Sequence, residues 1–182
     1  ALNCAQGPSP TPCNECESCV EITGSASLDV LEIDGASNRG INEIRELREN
    51  IRYRPAKSPY KIYIIDEVHM LTGEAFNALL KTLEEPPAHV IFIFATTESH
   101  RIPITIMSRC QLFEFRRIAG NAIVEHLRHI TKEEGIEISD VSLRLLAKEA
   151  EGSMRDAQSL LEQMIAFSGK NIDDKDLLEV LG

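Results

Sequence analysis

The stretch KIYIIDEVHML, Lys61 to Leu71, runs five mostly apolar, strand-forming residues straight into two adjacent carboxylates, Asp66 and Glu67. A continuous apolar run of this length reads as the central strand of a parallel sheet covered on both faces. Ligands bind beyond the carboxyl ends of such strands. Successive strand residues point to opposite faces, so the two acids are expected to do different jobs.

The flanking sequence supplies the rest of the sheet. SLDVLEID, residues 27–34, is a strand candidate, and SNRGINEIRELRENIRY follows with Ile41, Ile44, Leu47 and Ile51 on one face of a helix. After the two acids, TGEAFNALLKTLEEPP offers Thr72 as a cap, Phe76, Leu79, Leu80 and Leu83 as an apolar stripe, and Pro86 and Pro87 as a stop. VIFIFATTE reads as a second buried strand and QLFEFRRI, residues 111–118, as a third. Strands alternating with helices predict a parallel sheet with crossover helices. After about Arg117 the pattern turns to helices alone: one over Gly120 to Glu134 with Ile123, Leu127 and Ile130 inward, another from near Ser139, and a third from Ser153 with Ala157, Leu160, Leu161 and Met164 inward. The expected organisation is an α/β domain over residues 1–117 and a small all-helical domain over residues 118–182.

Composition narrows the function classes. A chain of 182 residues with 43% hydrophobic content is long enough for one core plus a satellite. No apolar run reaches the ~18 residues of a membrane span and no signal segment is visible, so a soluble, intracellular (cytoplasmic) protein with no membrane partner is expected. The formal net charge of −10 argues against a surface coated in phosphate-binding Lys and Arg, so any nucleic-acid contact is expected to be local.

Cys4, Cys13, Cys16 and Cys19 are separated by eight, two and two residues. Four closely spaced thiols suit tetrahedral Zn²⁺, and four protein ligands would close the site and make it structural. Disulfides, or an oxidoreductase Cys-x-x-Cys, are the alternatives. Asp66 and Glu67 fit the acidic half of a nucleoside-triphosphate site, with the Asp on Mg²⁺ and the next acid on the attacking water; a strand running into a polar loop is the plain alternative. The partner expected of them is a Gly-rich phosphate loop ending in Lys and Ser/Thr. GASNRGI has Gly35 and Gly40 but Ile41 where the Lys should stand, and SGKN has Gly169–Lys170 without the first glycine. Either the protein is a degenerate relative that never hydrolyses nucleotide, or it is a piece of a longer protein whose phosphate loop precedes Ala1; the opening ALNCAQG, read as the last turn of a helix, favours the second. Arg109 reads as a loop cation, solvated or paired with a surface acid. Arg155 falls in the first turn of a helix capped by Ser153, where the dipole disfavours a cation unless an anion is near.

Taken in order, the Cys-rich insert, IDEVHMLTGEAFNALLKTLEEPP, ATTE, PITIMSRCQLFEFRRI and GSMRDAQSLLEQ resemble the gamma/tau clamp-loader ATPases of bacterial DNA polymerase III, of the AAA+ class, over practically the whole chain. The resemblance implies an AAA+ P-loop-type parallel sheet, truncated at its N-terminal side and carrying a zinc-binding insert at residues 4–19, followed by a helical lid. It implies that Asp66 and Glu67 are the Walker B acids, Thr97 a sensor for the γ-phosphate or attacking water, Arg109 an arginine finger reaching a neighbouring subunit, and Arg155 a second sensor from the lid. It makes Cys4, Cys13, Cys16 and Cys19 zinc ligands. ATP and Mg²⁺ are the implied cofactors of the whole protein, which would load a sliding clamp onto primed DNA; without its phosphate loop the piece is expected to be inactive. The implied partners are other clamp-loader subunits in a hetero-pentamer, the clamp, primer-template DNA, and the polymerase core through a C-terminal part. Asn38 and Arg39, at a helix start, are candidates for phosphate contact, against a plain cap and a solvated Arg. A catalytically silent clamp-loader subunit and another DNA-directed AAA+ motor, such as a branch-migration helicase, are the rival readings.

Overall fold

The structure, a computed structural model, describes residues 1–181. The chain divides into two compact units, Ala1–Leu112 and a second beginning at Phe113.

The first unit is built on a three-stranded parallel sheet ordered β1 (Val30–Asp34), β2 (Lys61–Asp66), β3 (Val90–Phe94). Helix α1 (Glu17–Thr23) precedes it; α2 (Ile41–Asn50) and α3 (Gly73–Glu84) are its crossovers, and α4 (Ile104–Met107) follows. Ile44, Leu47 and Ile51 from the α2 segment and Ala75, Phe76 and Leu79 from α3 close over Tyr63 and Ile65 of β2, with Phe92 and Phe94 packed at the margin. At roughly 1.5–3 kcal/mol per fully buried aliphatic or aromatic side chain, this layer is the unit's main source of stability. Thr72 caps α3, its Oγ1 accepting from the N–H of Ala75 at 3.2 Å.

The β2 strand lies at the centre of the sheet, yet the two faces are not equally covered. The α2/α3 face is sealed, whereas on the other Ile62 is buried, Ile64 and Ile91 are half-buried, Glu32 is exposed and Ile93 is 43% exposed. The strand order explains the difference. Two successive right-handed crossovers that step the same way along a sheet put both helices on one face, and covering the second face requires the order to reverse.

Two further expectations are corrected. QLFEFRRI is not a third buried strand: residues 111–119 form no regular element, and Leu112, Phe113 and Phe115 are 71%, 74% and 94% exposed. Apolar alternation marks a segment that fits a pleated surface, but it becomes a strand only against a partner edge. Here the N–H of Ile118 donates to Gly152 O at 3.0 Å and Arg117 Nη1 to Glu151 O at 2.9 Å, so this end is tied to a turn of the second unit. ALNCAQG is likewise not a helical turn but two consecutive tight turns, closed by Cys4 N to Ala1 O and Gly7 N to Cys4 O.

The second unit packs α5 (Gly120–Glu134), α6 (Asp140–Glu149), α7 (Met154–Ser168) and α8 (Asp174–Leu181) around Ile123, Leu127, Leu143, Leu146, Ala157, Leu161 and Met164. Ser139 and Ser153 cap α6 and α7. The unit is not all-helical. A two-residue parallel pair, β4 (Glu137–Ile138) with β5 (Asn171–Ile172), joins the exits of α5 and α7, where Gly135 and Gly169 take positive φ. Two residues are too few to show strand periodicity in the sequence.

The Cys-rich N-terminus is fastened to the sheet by polar contacts. Asn3 is buried and imitates a strand partner, donating to Tyr60 O at 2.9 Å and accepting from Tyr60 N at 3.1 Å. Lys57 Nζ reaches Glu17 at 2.6 Å and Glu21 at 2.8 Å. Beneath them Asp29 is buried and accepts the N–H groups of Ala56, Lys57 and Ser58 at 2.6, 2.9 and 2.9 Å. Burial opposes ionisation of this carboxyl, but the donors prevail and hold it below its ordinary range. Such a group stabilises the fold only where it is ionised: the contribution is present above the unfolded carboxyl value of about 4 and is lost as pH falls through the lower folded value. Asp29→Asn is expected to destabilise this unit by about 1–3 kcal/mol near neutral pH. In denaturation at a series of pH values the gap to wild type should close as pH falls below about 4; a gap independent of pH contradicts this account.

Candidate functional site

The parallel register brings the ends of β1 and β2 side by side, with Asp34 opposite Asp66. Gly35 then passes close beneath the acids. Its N–H donates to Asp66 O at 2.8 Å, and a Cβ at this position would lie 2.7 Å from Glu67 O and 2.8 Å from Asp66 O. Only glycine fits without displacing the peptide that carries both acids. Asp34 itself is committed to the turn: its carboxylate accepts from Ser37 Oγ and Ala36 N, which hold it below the usual carboxylate range.

At Glu67 the backbone leaves the strand in the left-handed region, φ 44° and ψ 45°. A non-glycine residue pays roughly 1–2 kcal/mol for this conformation, and such strain concentrates at functional positions. Flanking hydrogen bonds hold it: Glu67 N to Asp66 Oδ1 at 2.9 Å, Val68 N to Ala95 O at 3.0 Å and Met70 N to Glu67 O at 2.9 Å. Strand alternation predicts that the acids part, but Glu67 lies outside β2 in the left-handed region, so the corner and not the pleat sets their directions. The Asp66 side chain is exposed beyond the strand end, while Glu67 turns toward the exit of β3, where Thr97 Oγ1 donates to its Oε2 at 3.2 Å. Asp66, Glu67 and Thr97 are thus brought together. Sequence reasoning missed a fourth member, His69, buried in the turn after Glu67 with Nδ1 3.1 Å from Glu67 Oε2. Its one signal was a histidine inside the apolar run VHML.

Arg109 does not join this group. Its guanidinium donates to Glu84 Oε1 at 2.7 Å and to Thr105 O. Glu84 ends α3, which starts next to the acids and runs back along the sheet for twelve residues, or about 18 Å at 1.5 Å per residue. Arg109 therefore lies toward the opposite edge from Asp66 of its own chain. Arg155 is exposed in the first turn of α7, in the second unit, with no hydrogen-bond partner among the described residues. Asn38 does not cap α2, which starts from Gly40; its Nδ2 donates to Asp34 O at 3.0 Å. Arg39 is exposed, its Nη2 3.6 Å from Met70 Sδ.

Cys4, Cys13, Cys16 and Cys19 converge, their sulfurs all within 4.8 Å of one another and none in a disulfide. Four sulfurs at ~2.3 Å from a tetrahedral ion stand about 3.8 Å apart, so a small contraction suits them to one metal. Backbone N–H groups already point at the sulfurs: Cys13 N at Cys4, Ala5 N at Cys16 and Cys16 N at Cys13, at 3.3–3.5 Å. The N–H of Cys13 lowers the Cys4 thiol and that of Ala5 brings Cys16 down to about 6. Cys19, although it receives an N–H from Asn14, is pushed up to about 11 by burial and by its neighbouring thiols. Four converging sulfurs with backbone N–H groups aimed at them can hold a metal ion, which would displace the remaining thiol protons on binding.

With this geometry in hand, the likeness to known proteins is specific. The Thermotoga maritima RuvB Holliday junction branch migration motor matches with a TM-score of 0.67 at 17% identity, over 90% of this chain and 55% of that one. At that identity the likeness shows the fold: an α/β domain built on a parallel sheet, followed by a helical one. Residues 1–119 match the family described as "DNA polymerase III, delta subunit", and residues 122–170 match "DNA polymerase III clamp loader subunit, ATPase lid domain". The chain is 53% identical over 182 residues to DNA polymerase III subunit tau of Bacillus subtilis, covering 100% of this chain and 32% of that protein. It is 45% identical over 181 residues to the tau subunit of Escherichia coli, covering 100% and 28%. The chain belongs to the clamp-loader family of bacterial DNA polymerase III, and all 182 of its residues align with part of the tau and gamma subunits. It spans about a third or less of the length of these two relatives.

Proposed function

We propose that the protein carrying this chain is an ATP-hydrolysing clamp-loader subunit that uses ATP binding and turnover to place a sliding clamp on primed DNA, and that the Asp66–Glu67 corner is the hydrolytic half of its nucleotide site. The observation that supports this most is the corner itself: two acids at the exit of the central strand, split to different directions by a left-handed residue, one exposed and one bonded to Thr97. In this reading Asp66 would hold Mg²⁺, which would offset the charge of the phosphates, and Glu67 would orient the attacking water and take its proton. Thr97 senses the γ-phosphate by exchanging its hydrogen bond from Glu67 to the nucleotide. Bound ATP·Mg²⁺ supplies the phosphoryl group and the charge compensation; the phosphate loop that cradles it is proposed for the part of the whole protein preceding this chain.

Arg109 is proposed as an arginine finger for the nucleotide of an adjacent subunit in a hetero-pentamer. Its placement away from Asp66 of its own chain suits action in trans. The Glu84 pair that now holds it is partly exposed, with side chains 32% and 50% accessible, and such pairs are worth at most about 1 kcal/mol, so changing partner costs little. Arg155, exposed at a helix start, is proposed to contact the γ-phosphate of its own subunit from the lid. Asn38 and Arg39 are proposed contacts to the DNA backbone, and the polymerase core is proposed to bind through a C-terminal part of the whole protein. Residues 1–117 are proposed as the nucleotide-binding domain and 118–182 as the lid, a division five residues past the boundary between the compact units after Leu112. The four-Cys cluster is proposed to hold a structural Zn²⁺ that knits residues 4–19 into one module.

Glu67→Gln in the full-length protein is expected to leave ATP affinity nearly unchanged and to lower turnover by about 10²-fold or more, because it removes the basic oxygen while keeping its shape. Nucleotide-binding and steady-state assays check this; undiminished turnover means that the corner is not the hydrolytic site. Metal analysis of the dialysed, reduced chain is expected to find about one Zn²⁺, with X-ray absorption showing sulfur neighbours at ~2.3 Å. A folded, reduced protein without metal, or a native protein with two disulfides, rules the zinc site out.

A further inference from the structure

His69 is used by nothing in the mechanism above, although it is buried, 8% exposed, and enclosed by polar atoms. Its Nδ1 lies 2.9 Å from Thr96 Oγ1 and 3.1 Å from Glu67 Oε2, and its Nε2 lies 3.3 Å from Glu98 Oε1. Carboxylate oxygens only accept, so the contact with Glu67 attracts when Nδ1 carries the proton. The Glu98 contact is longer, and that carboxylate is already engaged by Arg101 Nη1 at 3.0 Å. Thr96 is itself fixed, its Oγ1 accepting the N–H of Glu98 at 3.0 Å. The ring is therefore anchored to the loop after β3 and presents one nitrogen to the carboxylate at the strained corner.

We infer that His69 is the positioning residue for Glu67: its Nδ1, hydrogen-bonded to Thr96 Oγ1, stands 3.1 Å from Glu67 Oε2 on one side, where a proton on Nδ1 attracts both oxygens, while Thr97 Oγ1 donates to the same Oε2 from the other. The inference rests on the proposed role of Glu67. A nucleotide that draws Thr97 away would leave His69 Nδ1, 3.1 Å away, as the remaining close polar contact of Glu67 Oε2, so the carboxylate stays aimed when it is needed. A histidine that only fills the core would be indifferent to which of its two nitrogens survives substitution. A positioning histidine is not, because Nδ1 faces Glu67 and Nε2 faces Glu98.

Asn and Gln separate these cases. The amide nitrogen of Asn can occupy the place of Nδ1, and that of Gln the place of Nε2. In the full-length protein His69→Gln is expected to lower kcat about tenfold or more with KM for ATP little changed, whereas His69→Asn stays within about threefold of wild type. Equal losses in the two variants, or a change confined to KM, overturn the proposal. Should neither variant fold, Thr96→Val keeps the volume and removes the hydroxyl that fixes Nδ1; it is expected to lower kcat about threefold or more at constant KM, and an unchanged kcat overturns the proposal. Carboxyl-carbon NMR of Glu67 in the chain described here gives a readout independent of catalysis. The Glu67 resonance should move in His69→Gln and hold in His69→Asn, and a resonance indifferent to both refutes the positioning role. A full-length wild type without ATP turnover removes the proposed function and leaves this NMR comparison to decide His69.

Discussion

The site depends on one backbone corner, where the N–H of Gly35 grips the carbonyl of Asp66 and the next residue, Glu67, turns left-handed. Parallel pairing fixes the height of Asp66 against Asp34, and the missing Cβ at residue 35 lets the β1 exit lie directly against the peptide that carries the acids. Every later contact presupposes this close approach. Val68 can bond the carbonyl of Ala95, His69 can enter the protein, and Thr97 can meet Glu67 only because the chain reverses sharply at this point. The strain at Glu67 is local, and the sealed α2/α3 face beneath the sheet provides the rigidity that sustains it.

The Cys-rich segment is joined to the opposite, entry side of the same strand. Asn3 pairs with Tyr60, Lys57 bridges two acids of the α1 segment, and Asp29 gathers the N–H groups of residues 56–58. These bonds steady the loop that feeds β2. A metal-bound cluster at Cys4, Cys13, Cys16 and Cys19 would therefore act on the architecture of the strand rather than on chemistry at its far end, in keeping with a closed four-thiol site.

Much of this was legible because it is local. The apolar run of β2, the helical spacing of Ile44, Leu47 and Ile51, the caps Thr72 and Ser153, and the convergence of four closely spaced cysteines all report on neighbours a few residues away. What escaped depends on partners distant in sequence. QLFEFRRI carries strand-like alternation, but its fate is set by pairing, and Ile118 is instead bonded to Gly152. Uneven coverage of the sheet follows from the strand order, which periodicity does not encode. His69 read as one more residue of a buried turn until Thr96, 27 positions away, came within 2.9 Å of it. Arg109 met Glu84 across 25 positions, a pairing that no short motif announces.

The central claim is that the exit of β2 is where nucleotide-bound metal sits. Crystals of the full-length protein grown with Mn²⁺ and a non-hydrolysable ATP analogue, examined by anomalous scattering, test it directly. The account predicts a metal peak about 4–5 Å from the Asp66 carboxylate, the spacing of an ion that keeps its water shell, with the γ-phosphate toward Glu67 and Thr97. A nucleotide-bound metal centred elsewhere in the subunit, with Asp66 and Glu67 facing only solvent, would contradict it.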